Sequence, residues 1–243
     1  MHLFEDQTAQ TPDSVFPNNW FSTHPGGHVA LYPMFAPHRR LKRRADVIQM
    51  PKARYRVQDV IDYSGLEPDG LFLEGTAAMV LDHIDRVAYA ARSNRTDPIA
   101  LERFCTHFNY EPMAFDAADV TDRPIYHTNV LMCIGTDFAL VGLSLIPNPV
   151  RRAEVRDRLE TSGRHVIDLD AHQIADFSGN AIDMQGRDGR ILALSKRALE
   201  ALRPEQVAAL ETSAMLVPFT VPTIEMAGGS VRCMLAGIHL KQR

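Results

Sequence analysis

A glycine-rich turn near the end of the sequence places one cysteine in a setting that favours nucleophilic chemistry. The turn, residues 226–234, reads Met-Ala-Gly-Gly-Ser-Val-Arg-Cys-Met and puts Cys233 directly after Arg232. Adjacent glycines widen the choice of backbone conformation and leave room for a ligand. A cysteine beside a cation is a candidate thiolate nucleophile, so the pattern predicts that Cys233 is presented to substrate. The alternative is a packed cysteine at the entry to a strand.

An acid and a histidine stand in two otherwise apolar stretches. Glu74 stands within the stretch Phe-Leu-Glu-Gly-Thr, residues 72–76. A buried acid needs either a charged or hydrogen-bonding partner or a functional role. His127 and Asn129 alternate onto one face at the start of the stretch 126–135, where side chains would reach a pocket. Cys133 lies on that face ~20 Å farther along and is assigned to the core. A buried ion pair for Glu74 and a hydrogen-bonded core histidine for His127 are the structural alternatives.

A third stretch, residues 16–24, reads Phe-Pro-Asn-Asn-Trp-Phe-Ser-Thr-His. It is denser in amides, hydroxyls and aromatic rings than a connecting loop requires. Asn18 and Asn19 are therefore candidate binding residues, with a simple turn as the alternative.

The elements that must position these residues are mixed, with more strands than helices. Alternating or apolar runs bounded by turn residues predict a series of strands, while 55–63 is ambiguous between strand and helix. The predicted strands are 28–34, 71–81, 86–91, 126–135, 138–145, 164–169, 181–185, 190–195, 215–219 and 234–240.

Helices are predicted between some of these strands. Pro98 opens a helix with an apolar stripe that includes Cys105, which is thereby assigned to the core. Asn148 and Asp170 are predicted N-caps, and further helical turns are expected around Ala198 and over 204–214. A hairpin, a helix and another strand thus recur about every fifty residues. This recurrence predicts a closed, propeller-like arrangement of small sheets in a single α/β domain spanning residues 1–243.

Composition narrows the function classes. The chain has 243 residues, 45% of them hydrophobic, and a formal net charge of −4, which argues against nucleic acid as a partner. The basic cluster 38–44 is predicted to be a solvated face or a contact in a homo-oligomer. Three cysteines without metal-like spacing indicate a reducing cytoplasm and no metal site. No apolar run approaches the ~20 residues that cross a bilayer, and the first residues do not resemble a leader peptide, so neither membrane insertion nor export is expected.

Jointly, four motifs resemble those of a known superfamily. Residues 16–24, 73–76, 126–130 and 228–234 follow the order and rough spacing seen in the guanidino-group modifying enzymes. The sequence is most similar to the bacterial citrulline utilization hydrolases, relatives of arginine deiminases, dimethylargininases and arginine:glycine amidinotransferases. The resemblance covers essentially the whole chain. It implies the pentein fold, in which five ββαβ units surround a central active site.

The resemblance also implies roles for individual residues. It makes Cys233 the nucleophile, His127 the general acid/base, and Glu74 the carboxylate that contacts a substrate nitrogen and orients the site. Arg95 resembles the arginine with which deiminases hold the substrate α-carboxylate. Asn18, Asn19 and Asn129 are expected to contact substrate, a small amino acid, without metal or organic cofactor. These residue types suit attack on a resonance-stabilised ureido or guanidino carbon. Such a reaction needs a strong nucleophile and a proton for the leaving amine.

The chain departs from the family pattern in two places. Family members usually carry an additional segment, with the first strand, ahead of the Asn-Asn motif. The first propeller unit is therefore expected to be incomplete unless other residues or a partner subunit supply that strand. Ala77 and Ala78 replace the usual Gly-Ser after Glu-Gly-Thr, a change expected to leave Glu74 in place.

The substrate expectation rests on charge. Relatives that handle a cationic guanidinium generally carry aspartate where this chain has Asn19, and arginine deiminases carry another where it has Asn129. Neutral amides suit a neutral ureido group, so we expect hydrolysis of citrulline to ornithine, ammonia and carbon dioxide. The alternatives are a guanidino hydrolase of the arginine deiminase or dimethylargininase type, an amidinotransferase, or a non-catalytic pentein-like binding protein. The presence of Cys233, His127 and Glu74 together favours an enzyme.

Overall fold

Four three-stranded sheets follow one another along residues 2–7 and 10–243, which the computed structural model describes. In each sheet the first two strands are antiparallel, and the third lies parallel to the second. A parallel return needs a crossover, which helices supply in every unit. The strands are β1 Phe21–His24, β2 His28–Leu31, β3 Asp59–Asp62, β4 Met79–Asp82, β5 Val87–Ala91, β6 Glu111–Phe115, β7 Met132–Ile134, β8 Phe138–Val141, β9 His165–Asp168, β10 Ile182–Gln185, β11 Arg190–Ser195 and β12 Met215–Phe219.

The helices are short, and within the described ranges none is long and apolar enough to cross a membrane. The α-helices are α1 Pro37–Arg40, α2 Ala45–Arg54, α3 Gly75–Ala78, α4 Pro98–Phe108, α5 Thr128–Leu131, α6 Pro149–Thr161, α7 Ala171–Ala175, α8 Lys196–Ala201, α9 Pro204–Glu211 and α10 Pro222–Met226. The 3₁₀ helices are Pro12–Val15, Pro17–Asn19, Ser64–Asp69, Leu143–Leu145 and Val231–Met234.

The predicted recurrence of a hairpin, a helix and a strand is confirmed in all four units. The two predicted caps are confirmed: Asn148 accepts hydrogen bonds from two backbone N–H groups of α6, and Asp170 completes a capping box on α7. Asp97, which was not predicted as a cap, accepts from two backbone N–H groups of α4. Cys105 lies on the buried face of α4, as predicted. The ambiguous stretch 55–63 contains strand β3, whereas β1, β6 and α2 were not predicted.

Two strands start later in the sequence than predicted. Strand β4 starts at Met79 rather than at 71, because Glu74 precedes the single turn of helix α3, closed by hydrogen bonds from Ala77 N and Ala78 N to Glu74 O. Strand β7 likewise starts at Met132 rather than at 126, after the turn α5. The prediction that Glu74 and the residues from 126 to 131 lie within strands is therefore wrong.

The predicted terminal strand 234–240 is also wrong. Residues 231–234 form a 3₁₀ helix, and the following residues have no regular secondary structure before an isolated bridge between Tyr55 and Gln242. The alternating pattern fails because the segment bonds to a side chain instead of a strand edge: Thr23 Oγ1 donates to Gly237 O and accepts from His239 N. Among the described residues, the segments 10–20 and 220–243 do not form a fifth three-stranded sheet.

Four short helical segments meet near the starts of strands β1, β4 and β7. The 3₁₀ helix Pro17–Asn19 lies just before β1, α3 lies directly before β4, and α5 lies directly before β7. Helix α3 contacts both the 3₁₀ helix Pro17–Asn19 and helix α5, and the 3₁₀ helix Val231–Met234 contacts Pro17–Asn19 in turn. The fold thereby brings side chains from distant parts of the sequence to a common centre.

We predict that Gly75 is essential to this junction. It has a φ of +49°, and a Cβ atom there would lie 2.5 Å from Asn18 O. Gly75→Ala should therefore lower the free energy of unfolding by about 2 kcal/mol, through backbone strain and displacement of the Asn18 loop. Urea denaturation measures the change.

Gly65→Ala is the matched control, because nothing lies within 4 Å of its Cβ position. It should change the free energy of unfolding by less than about 0.5 kcal/mol. Equal urea midpoints for the two variants would contradict this account of the junction.

Candidate active site

The carboxylate of Glu74 lies at the centre of the site and contacts several of its residues. Its side chain has no exposed surface, and its Oε2 lies 2.8 Å from His127 Nε2, 3.2 Å from Arg39 Nη1 and 3.3 Å from Arg95 Nη1. The backbone N–H of Phe35 donates to Oε1 at 3.2 Å. The structure thus brings together three residues selected from the sequence, Glu74, His127 and Arg95, and adds Arg39.

The contacts of Glu74 determine its charge and that of its partner. Burial alone would raise the pKa of Glu74, but the hydrogen bond and charge of His127 and the charges of Arg95 and Arg39 outweigh it and hold the pKa at about 2. Burial lowers the pKa of His127 despite the opposing effect of Glu74. A carboxylate therefore lies beside a neutral imidazole at neutral pH. Because the carboxylate accepts from Nε2, the other ring nitrogen, Nδ1, is the one available to take a proton.

Cys233 lies in the 3₁₀ helix Val231–Met234 with its thiol between two amides. Its Sγ is 3.2 Å from Asn129 Nδ2 and 3.3 Å from Asn180 Nδ2. The residue is only 5% exposed, so the prediction that Cys233 is presented rather than buried is wrong. The glycine turn serves close packing instead, since a Cβ on Gly229 would lie 2.7 Å from the ring of Phe16. The two N–H donors stabilise negative charge as it develops on the sulfur.

Asn180 is a site residue that the sequence analysis missed. Its Nδ2 also donates to the backbone oxygen of Asn129 at 2.8 Å, which fixes the orientation of its amide. It lies two residues before strand β10 and directly follows Gly179, where a Cβ would lie 2.6 Å from Val130 O. A polar residue just ahead of the first strand of a sheet was the available signal.

Several amide atoms of the site are buried and have no partner within the described ranges. They are Oδ1 of Asn129, Oδ1 of Asn180, and both Oδ1 and Nδ2 of Asn18. Buried polar groups are normally paired, so a cluster of unpaired ones marks a place where a ligand completes the hydrogen bonding. The predicted binding residues Asn18 and Asn129 are thus found in the site with hydrogen-bonding capacity to spare.

Two cations from the basic cluster 38–44 turn inward. Lys42 is 2% exposed, and its Nζ donates to Asn19 Oδ1 at 2.6 Å. Arg39 joins Glu74 and, through Nε, Asp13 Oδ2 at 2.7 Å. The prediction of a solvated face or subunit contact is wrong for these two residues, because neighbouring carboxylate and amide oxygens solvate them internally. Asn19, the other predicted amide, is held in place by this contact.

Arg95 lies at the edge of the site. Its guanidinium carbon is 5.0 Å from the centre of the Tyr126 ring, and its Nε is buried without a partner among the described residues. Spare hydrogen-bonding capacity is consistent with its predicted role in holding an α-carboxylate, which stays a prediction.

Cys105 and Cys133 stand apart from this group. Both are buried in the core, as predicted, and burial raises the pKa of each to about 12. In the described part of the chain, no three His, Cys, Asp or Glu side chains are grouped so that they could hold a metal ion.

We predict that alkylation discriminates among the three cysteines. Iodoacetamide at pH 8 should modify Cys233, whose sulfur receives two amide donors, at least about tenfold faster than Cys105 or Cys133, which stay thiols at that pH. Peptide mass mapping after partial labelling measures the distribution. Cys105→Ala is the control and should leave the labelling rate unchanged, whereas modification chiefly at Cys105 would contradict the assignment.

Comparison with solved structures shows a shared fold. The apo structure of ArgZ, an arginine dihydrolase from the ornithine-ammonia cycle in Cyanobacteria, is 16% identical, with a TM-score of 0.72 over 95% of this chain and 34% of that chain. AgrE in a ternary complex with ornithine and NAD+ is 16% identical, with a TM-score of 0.75 over 96% of this chain and 31% of that chain. The chain thus spans about a third of these full-length proteins.

A third structure is an adduct. It is a dimethylarginine dimethylaminohydrolase bound to S-methyl-L-thiocitrulline, 11% identical, with a TM-score of 0.63 over 93% of this chain and 76% of that chain. Together with the four ββαβ sheets, these likenesses confirm the predicted pentein fold.

Family assignment rests on the sequence as well as on the fold. No curated protein matches the chain. A family model described as N,N dimethylarginine dimethylhydrolase, eukaryotic, matches residues 1–240, nearly the whole sequence. The predicted membership of the guanidino-group modifying superfamily is therefore confirmed, and the chain belongs to its N,N dimethylarginine dimethylhydrolase family.

Proposed function

We propose that the protein is a cysteine hydrolase that cleaves the ureido C–N bonds of citrulline, giving ornithine, ammonia and carbon dioxide. The observation that carries this proposal is the charge of the site: the two groups that donate to Cys233 Sγ are neutral amides, and Glu74, the carboxylate bonded to His127, is already matched by two arginines. The contact between Glu74 and His127, and the two amide donors to Cys233, favour catalysis over a binding role.

The charge balance favours a neutral substrate side chain. Arg39, Arg95 and Lys42 face the two carboxylates Glu74 and Asp13 in this part of the molecule. A guanidinium would add a buried positive charge without a free carboxylate to pair with it, which costs several kcal/mol. A ureido group adds no charge. The α-carboxylate of citrulline, in contrast, suits a positive environment, and Arg95 is its proposed partner.

The unpaired amide atoms match the hydrogen-bonding groups of a urea. A ureido group has N–H donors and one oxygen acceptor. The free Oδ1 atoms of Asn129 and Asn180 accept from its terminal nitrogen next to the sulfur. Glu74 accepts from a substrate nitrogen through Oε1, whose partner among the described residues is the Phe35 N–H, while Arg95 keeps its contact with Oε2. These contacts hold the planar group for attack by Sγ.

Proton transfer in the proposed reaction runs through His127. Nδ1 takes the thiol proton, Cys233 Sγ forms a bond to the ureido carbon, and the electron pair moves onto the ureido oxygen. When that pair returns, the bond to the ornithine nitrogen breaks, and His127 gives its proton to that nitrogen. A water molecule, deprotonated by His127, then cleaves the carbamoyl thioester. The thiol is regenerated, and the carbamate released decomposes to ammonia and carbon dioxide.

A guanidino substrate is the second candidate. The family is described by dimethylarginine hydrolysis, and structures with this fold include an arginine dihydrolase bound to its substrate. The same three residues would serve that chemistry, because attack on a guanidino carbon also needs a nucleophile, a proton donor and an orienting carboxylate.

We predict that Cys233→Ala abolishes citrulline turnover and that Glu74→Gln lowers kcat by about 10²–10³, because a neutral amide no longer sets the tautomer and charge of His127. Ornithine and ammonia release measure both effects. Glu154→Gln, a change at an exposed carboxylate on α6, is the control and should retain full activity. Normal turnover by Glu74→Gln would contradict the role of this carboxylate.

We further predict that citrulline has the highest specificity constant among citrulline, arginine, dimethylarginine and agmatine. Parallel assays of the purified protein, with ornithine, citrulline and ammonia as the measured products, decide the order. A higher kcat/KM for arginine or a methylarginine would show that the charge argument is wrong while leaving the cysteine mechanism intact.

A further inference from the structure

Lys42 is a buried cation without a counterion in direct contact. Its Nζ donates to Asn19 Oδ1 at 2.6 Å, Phe16 O at 3.1 Å and Asp13 O at 3.4 Å, three acceptors that carry no formal charge. Within the described ranges, no carboxylate oxygen lies in salt-bridge distance of Nζ; the nearby carboxylates of Asp13 and Glu74 both bind Arg39. A buried ammonium in such a setting is costly, so its presence calls for a function.

The contact with Lys42 fixes the orientation of the Asn19 amide. An ammonium group has donors only, so it must face the amide oxygen. Asn19 Oδ1 is therefore occupied, and the other end of the side chain, Nδ2, forms no hydrogen bond with a described residue. Asn19 presents a donor rather than an acceptor to whatever binds beside it.

An oriented donor distinguishes ureido from guanidino groups. A ureido oxygen accepts a hydrogen bond from Asn19 Nδ2. A guanidinium has N–H donors at every nitrogen and no acceptor, so donor would meet donor at this point. The charge of Lys42 acts in the same direction, because it repels a cationic group and leaves a neutral one unaffected.

We propose that Lys42 is the specificity-determining residue of the site, selecting ureido over guanidino side chains through its charge and through the orientation of Asn19. The inference rests on the proposed function and deepens it. In a guanidino hydrolase, a carboxylate at residue 19 would pair with Lys42 and cancel its positive charge. Here residue 19 is an amide, so the positive charge of Lys42 is not cancelled.

Titration of Lys42 gives the selection a pH dependence. Burial, and then the charge of Arg39, lower the pKa of Lys42 to about 7, although Asp13 and Glu74 act to raise it. Arg95 lowers it further, and His38 Nε2 lies 3.9 Å from Asp13 Oδ2 at the outer edge of the same cluster. Lys42 is therefore charged below about pH 7 and neutral above it. Selection against a cationic side chain should be strong in acid and weaken as the pH rises through 7.

The test is the ratio of the affinities for L-citrulline and L-arginine, measured by calorimetry with Cys233→Ala protein between pH 6 and pH 8.5. The α-amino and α-carboxylate groups of the two ligands titrate alike, so the ratio isolates the side chain. We expect the preference for citrulline to fall about tenfold across this range. With Lys42→Met added, the ratio should be low and independent of pH. Lys52→Met, at an exposed lysine of α2, is the matched control and should behave like the parent.

The outcome separates this proposal from the proposed function, because binding is measured without turnover. A ratio that is constant with pH and equal in Lys42→Met would overturn the role of Lys42, even if the unaltered enzyme hydrolyses citrulline. A pH-dependent ratio would support that role even if the unaltered enzyme fails to hydrolyse citrulline, which would count only against the reaction. Failure of both amino acids to bind would overturn both proposals.

Discussion

Burial of the Glu74 carboxylate is the constraint on which the site depends. A carboxylate with no exposed surface is stable only if its charge is paired and hydrogen-bonded, and here His127, Arg39, Arg95 and a backbone N–H do so. These partners come from three separate segments of the chain, 35–39, Arg95 and His127. Satisfying one carboxylate therefore fixes the relative positions of α1, the loop before α4 and the residue that starts α5, and it selects the tautomer of His127.

The same constraint shapes the electrostatics around the nucleophile. Because Arg39 and Arg95 already pair with Glu74, this carboxylate is not left for a cationic ligand, and the two described groups that donate to Cys233 Sγ are neutral amides. Lys42 adds a positive charge held only by neutral oxygens. The superfamily chemistry of a cysteine, a histidine and an acid is thus combined with surroundings that suit a neutral group and an α-carboxylate.

The sequence predicted the features that depend on contacts within a few residues. It did not predict the features that depend on tertiary contacts. The caps at Asn148 and Asp170 are set by residues within one turn, and both were predicted. Glu74, His127 and Cys233 were identified by polar or sulfur chemistry in unusual local settings. The single turns α3 and α5 were missed because they consist largely of small or apolar residues that also fit a strand. Arg39 and Lys42 were misassigned because charged residues in a run are normally solvated, and only the folded chain shows which oxygens surround them. Asn180 was missed because a single polar residue ahead of a strand is a weak signal.

The account centres on covalent catalysis by Cys233 on a ureido carbon. The most direct measurement is mass spectrometry of the protein quenched in acid during turnover of citrulline, with the modified peptide sequenced. The account predicts the added mass of one carbamoyl group on Cys233, lost on incubation before the quench and absent from Cys233→Ala protein. Turnover with no adduct on any cysteine, or with the carbamoyl group on Cys105 or Cys133, would contradict it.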